Sequence, residues 1–330
     1  MSPEDGPVWY DSSMRWLLLL LVLLAVPHLG LAQSLDSLGI SSGAELLASP
    51  DYPEPGVKTT ITLNDYRSVS SGATVRWFYN GAAIPDATNA REVSVTAPEV
   101  GKTATIKAVL EYGGIAEILT KDITPIYLDV VLEPQTHVPS FYLGRALPSI
   151  GSTVRAIALM NNGTPLGTDY IYTWHINNTV INSGPVHGGN VVNFKIPQGN
   201  TAILSLEVAS PSGDTIAKRV LVLPSVTPEL HFYEVNTLLG LLPRAIDRNF
   251  NLIGNSSIIR TEPYYLDSAT FNNPSILTWK INNRPATPDS NPYEITLEKT
   301  GDPGNAAISF EVRSLVQLLQ GVKGTLNLSI

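Results

Sequence analysis

Three tryptophans open the same phrase: TVRWFYNGAAI from Thr74, IYTWHINNTVI from Ile171 and ILTWKINNRPA from Ile276. In each, Trp is followed by two residues, then Asn, then Asn or Gly. The indoles are 97 and 105 residues apart. A second pattern keeps step with them: TATIKAVLE from Thr103, TAILSLEVA from Thr201 and NAAISFEVR from Asn305. The first Ala of each lies 27, 28 and 27 residues after its Trp. Chance does not hold such an interval three times, so the chain repeats a unit of about 100 residues.

The second pattern alternates. Ala104, Ile106, Ala108 and Leu110 face one way, as do Ala202, Leu204, Leu206 and Val208, and Ala306, Ile308, Phe310 and Val312. Period two predicts a strand with one buried face. Pro98 and Gly101, Pro197 and Gly199, and Pro303 and Gly304 punctuate the turn before it. In the Trp phrases the indole points inward, and Asn80-Gly81, Asn177-Asn178 and Asn282-Asn283 suit a hairpin turn at positive φ. Trp77, Trp174 and Trp279 are therefore expected to be core residues. Further strands are read at residues 57–63, 93–97, 191–196, 293–298 and 322–330. Residues 313–320, RSLVQLLQ, read equally as a helical turn or as a strand end entering a loop. Short strands and regular turns predict an all-β chain of three tandem sandwiches. The domains are placed at 45–127, 128–227 and 228–330, after a linker over 33–44, and Pro125, Pro224 and Pro228 would stiffen the junctions.

An inward Trp in W-x-x-N-[GN], a hairpin and an alternating strand about 27 residues on resemble immunoglobulin-like domains. They are also similar to the PKD-like modules of bacterial surface proteins. The sequence departs from antibody domains in lacking a Cys pair and the D-x-G-x-Y corner, and from typical PKD repeats in lacking W-D-F-G-D-G. The resemblance covers nearly all of the chain after its leader. It implies spacers, adhesins or envelope-complex parts, a choice that the fold does not make.

The chain has 330 residues, 43% hydrophobic and 15% charged, with no Cys and a formal net charge of −8. Without Cys there are no disulfides, thiolate metal sites or Cys nucleophiles. The acidic balance and the lack of any basic run argue against a nucleic-acid partner. Residues 14–34, MRWLLLLLVLLAVPHLGLAQS, read as a secretory signal: one Arg, an apolar run from Trp16 to Val26, the breaker Pro27, and small residues leading to cleavage after Ala32. The acidic stretch before Met14 suits a signal poorly, which makes Met14 an alternative start for a signal peptide spanning 1–32. The run is short for a membrane span; an uncleaved anchor is the alternative reading. The chain is thus expected to be exported, to the cell surface, the exterior or a periplasm.

Motifs for chemistry are sparse. GISSG, residues 39–43, matches a nucleophile elbow, but that motif needs a strand before it and a helix after it; here it falls in a Ser/Gly-rich linker. His137, His175, His187 and His231 lack metal-ligand spacing, and HGG at 187–189 reads as a loop. Residues 287–291 have no D-x-D-x-D string for calcium. Sequons at Asn162, Asn177, Asn255 and Asn327 matter only in a eukaryotic host. No catalytic residue, metal ligand or cofactor is assigned. The apolar stretch HFYEVNTLLGLLPRAI, residues 231–246, echoes PSFYLGRALPSI, residues 139–150. It reads first as an opening strand that bends at Gly240 and Pro243 while switching sheets, and second as a docking edge. PYYLD, 263–267, reads first as a loop and second as a binding patch. Candidate partner-binding residues are Phe232, Tyr233, Leu238, Leu239, Leu241, Leu242, Tyr264 and Tyr265. The sequence reading is a non-catalytic structural or recognition protein of the cell envelope, meeting a protein or glycan partner. The alternatives are a subunit of a pilus or secretion apparatus, or a carbohydrate-active enzyme with a site between domains.

Overall fold

The computed structural model describes residues 43–67, 69–162, 170–199, 201–300 and 304–330. The expected signal peptide, most of the linker and most of GISSG lie outside them. Among the described residues no helix is long and apolar enough to cross a membrane.

The chain folds as three tandem immunoglobulin-like sandwiches. The first uses β1 (Ala44–Ser49), β2 (Lys58–Asp65), β3 (Thr74–Tyr79), β4 (Ala82–Ala83), β5 (Glu92–Thr96), β6 (Ala104–Tyr112) and β7 (Ile115–Ile123). Its sheets run β1-β2-β5 and β4-β3-β6-β7. The second uses β8 (Tyr127–Pro134), β9 (Thr153–Asn161), β10 (Ile171–Ile176), β11 (Thr179–Val180), β12 (Val186–His187), β13 (Val191–Lys195), β14 (Thr201–Ala209) and β15 (Thr215–Pro224). Sheets β13-β9-β8 and β11-β10-β14-β15 repeat the same plan, with β12 added beside β10. The third uses β16 (Glu229–Asn236), β17 (Gly240–Ile246), β18 (Asn249–Asn251), β19 (Ser256–Tyr264), β20 (Ile276–Ile281), β21 (Arg284–Ala286), β22 (Glu294–Glu298), β23 (Asn305–Arg313) and β24 (Gly321–Ser329). It widens both sheets, to β17-β16-β19-β22 and β18-β24-β23-β20-β21.

The alternating strands β6, β14 and β23 sit inside these sheets, and their inward residues are buried except for half-buried Ala306. Trp77, Trp174 and Trp279 are 1%, 3% and 1% exposed, each in its own core. Each indole Nε1–H also finds a carbonyl: Ala90 at 3.0 Å, Gly189 at 2.9 Å and Pro292 at 2.9 Å. A buried ring thus leaves no orphan donor, and truncating one to Ala typically costs about 3–5 kcal/mol.

The Asn that follows does more than turn the chain. Asn80, Asn177 and Asn282 have φ of 48°, 46° and 48°. Their Oδ1 atoms accept the amides of Thr105, Ile203 and Ala307 at 2.9 Å. Their own amides donate back to the carbonyls of Thr105, Ile203 and Ala307. Each side chain thereby extends the strand ladder by one more bond after the backbone has left it.

One expectation changes, and of the two readings of residues 313–320 the strand end entering a loop holds. Residues 231–246 do not bend across sheets at Gly240 and Pro243. They form a hairpin, β16 against β17, with Gly240 at φ +75° after the turn. The change of sheet comes afterwards, where β18 lies parallel to the end of β24. Residues 314–320 form a loop closed by Ser314 N–H donating to Gln320 O at 2.9 Å.

Candidate interaction site

The second and third sandwiches meet in a buried neck. Its backbone frame is a short ladder: His137 N–H donates to Leu266 O at 2.7 Å, Tyr265 N–H to His137 O at 2.7 Å, and Ser268 N–H to Gln135 O at 2.9 Å. Around it, residues 261–267 are all buried. In an ordinary outer strand half would face water, so this run has both faces covered.

Polar side chains tie the frame together. Asp267, 1% exposed, accepts Thr153 N–H at 2.8 Å through Oδ2, while its Oδ1 caps the short helix Ser268–Asn272 through Ala269 N–H. Gln320, fully buried, accepts Asp267 N–H at 2.7 Å and donates to Ser149 Oγ and Ile150 O. Ser149 Oγ donates to Tyr265 O at 2.6 Å. His137 Nε2 lies 2.8 Å from Glu262 Oε2, whose other oxygen meets Arg260 Nε at 2.6 Å. The imidazole stacks on Phe271 at 3.6 Å between centroids, and Phe271 stacks on Tyr293. Buried polar groups are costly unless satisfied, and Asp267, Gln320, Ser149 and Glu262 each find a partner across the neck.

The candidate docking residues divide on this frame. Tyr233, Tyr264 and Tyr265 are buried in one cluster with Phe141, Tyr142 and Leu147. Tyr233 Oη bonds to Tyr264 Oη at 2.8 Å and Tyr142 Oη to Tyr265 Oη at 2.9 Å. Phe232 is buried in the third core. These four are therefore not an outward surface; three of them receive the preceding sandwich of the same chain. Leu241 and Leu242 are half-buried on β17, with Leu241 against the tyrosine cluster. Leu238 and Leu239 stand out at the β16–β17 turn, 92% and 78% exposed, held by Asn236 Oδ1 accepting both their amides. Burial raises the Tyr264 and Tyr293 phenols far above their ordinary value. The hydrogen bond to Tyr142, with burial second, pushes Tyr265 up to about 12.

The first junction is of another kind. Arg219 bridges Glu54 at 2.7 Å and Asp129 at 3.4 Å, with both carboxylates solvent-exposed or half-buried. A cavity of about 490 Å³ opens there, lined in part by Asp51, Tyr52, Glu54, Asp122 and Lys218. Its acids are exposed. Glu54 is committed to Arg219, Asp122 accepts from Thr105 Oγ1 at 2.6 Å, and the Lys218 ammonium lies over the Tyr52 ring. Elsewhere, Gly189 of HGG supplies the carbonyl for Trp174, and Asp289 accepts from Thr296. No cluster of three metal-ligating side chains occurs among the described residues.

Sequence reasoning missed Asp267, Gln320, Ser149 and the His137–Glu262 pair. The one available signal was the loss of alternation across residues 261–267.

No protein-family model matches the chain, and no curated protein matches it. Among solved structures, it is similar to fibronectin(III)-like modules of Clostridium thermocellum CbhA, at 13% identity over 55% of this chain and 93% of that one, TM-score 0.28. It is also similar to Sidekick-1 immunoglobulin domains 1–5, at 14% identity over 87% of this chain and 58% of that one, TM-score 0.30. A third is the three N-terminal domains of the bacteriophage RB49 Hoc capsid protein, at 12% identity over 87% and 97%, TM-score 0.25.

Proposed function

We propose that the chain is an exported, non-catalytic structural and recognition protein of the cell envelope. It holds units at 45–127, 128–227 and 228–330 as a rod and meets a protein or glycan partner through exposed loops and edges. The observation that carries this reading is the neck: a buried lattice fixing two sandwiches in one orientation is what rigid presentation requires. The junction cavity supports a non-catalytic role. A glycosidase needs one carboxyl kept protonated by a low-dielectric setting, whereas the acids here are exposed and Glu54 and Asp122 already have partners. The projecting Leu238 and Leu239 favour a second reading, docking into an envelope assembly. Fractionation of producing cells tests the proposal. The expected result is mature protein beginning at Gln33 in the envelope or medium; full-length protein confined to the cytosol overturns it.

A further inference from the structure

The three sandwiches act as controls for one another. Their last strands, β7, β15 and β24, pair with β6, β14 and β23 in the same register, so Asp122, Val222 and Asn327 are equivalent, as are Thr120, Val220 and Thr325. The fold accepts polar residues at these outward positions in the first and third sandwiches. In the second they are Val220 and Val222, 64% and 65% exposed, with Ile203 opposite Val222 at 48%.

The edge beside them also differs. In the third sandwich β18 lies parallel along β24, pairing Phe250 with Leu328 and lodging its ring against the core. In the second sandwich the corresponding segment makes only a single parallel bridge, Ser149 to Val226, two residues beyond the end of β15. Pro148 and Pro224 have no N–H with which to extend that bridge, whereas Val222, equivalent to the Asn327 whose N–H donates to Arg248 O, has one to offer along β15. The segment stands off, and a groove of about 240 Å³ remains, lined by Leu132, Leu147, Val154, Val222 and Val226 with the exposed Arg145. It opens between β8 and β15, each the last strand of its sheet.

We infer that this edge takes an extended segment of a partner polypeptide, running parallel to β15, with one aromatic or aliphatic side chain seated in the groove. β18 is the pattern for the occupant, since it closes the equivalent edge of the third sandwich with Phe250 in that role. Backbone pairing supplies affinity and the seated side chain selects the partner. The inference deepens the recognition role proposed above by naming the partner's chemistry.

A synthetic peptide of residues 247–253, DRNFNLI, is the probe, added to the full chain while amide hydrogen exchange is followed. Exchange along β15 is expected to slow about tenfold at saturation while β24 is unchanged, and a peptide carrying Phe250→Ser should give no protection. Val220→Thr with Val222→Asn installs the third sandwich's own residues and should fold; it is expected to weaken peptide binding by about tenfold or more. The inference is overturned by absent protection at millimolar peptide, by equal binding to the double variant, or by β15 protection that appears without peptide as protein concentration rises, which would mean self-association. None of these results touches the neck or the cell-fractionation outcome, so the recognition role stands or falls separately.

Discussion

At the scale of single residues, the Asn after each Trp is the most economical device in the chain. It supplies a positive φ and an acceptor at once. The two contributions separate by substitution at Asn177. Asn177→Gly keeps the backbone and loses the bond to Ile203 N–H, at a cost of about 1 kcal/mol. Asn177→Ala loses both and should cost about 1 kcal/mol more. Native-state exchange at Leu204 and Leu206 checks the order; equal losses would mean that the side-chain bond contributes all of it. The neck tyrosines titrate in the opposite sense from a buried acid with a counter-ion. Because the Tyr265 phenol is raised to about 12, its contribution to stability is complete below the ordinary phenol value near 10 and is lost as pH climbs from there to about 12. Absorbance of tyrosinate against pH, alongside near-UV dichroism, should show the neck tyrosines ionising together with loss of tertiary signal. Smooth ionisation with no structural change would contradict their burial.

At the scale of elements, local period was readable and long-range closure was not. Strands β6, β14 and β23 could be placed with their inward faces because apolar residues alternate along them. The Asn turns could be placed because they need only neighbours in sequence. His137 with Glu262 and Ser149 with Gln320 meet across 125 and 171 residues, and nothing around either member marks its partner. The tyrosines of 263–267 stood out as a sticky segment, but burial alone does not say whether the cover is another molecule or the chain itself. Strand β24 shows what a fully legible pattern can still conceal. Its alternation includes Gly324 among the inward positions, where a Cβ would come 2.7 Å from Leu230 Cδ2 and 3.2 Å from Phe232 Cε2. Here the two sheets of the third sandwich close on each other through a missing side chain. Gly324→Ala should destabilise the third sandwich by about 1–3 kcal/mol through overpacking, measured by urea denaturation. A neutral outcome would mean that Leu230 relaxes freely.

At the scale of the whole molecule, the two junctions should respond differently to salt. Exposed ion pairs such as Arg219 with Glu54 contribute about 0–1 kcal/mol each and are screened; at about 1 M salt the Debye length is about 3 Å. The neck, with Asp267, Glu262 and Gln320 out of contact with water, is not. The sequence contains no Cys, so pairs of introduced cysteines can carry spin labels without background. Labels at Thr88 and Ser212 span the first junction, and labels at Ser212 and Asp247 span the second. High salt should broaden the first distance distribution and leave the second narrow; equal broadening would remove the distinction. The contrast has a mechanical meaning. On that prediction, two sandwiches joined through Asp267 and Gln320 form one long lever, with the exposed Arg219 contact at its pivot. If the labels report that contrast, the far sandwich turns about the first junction as part of a rigid pair, and the recognition role proposed above would work by rotation without the slack of a jointed string.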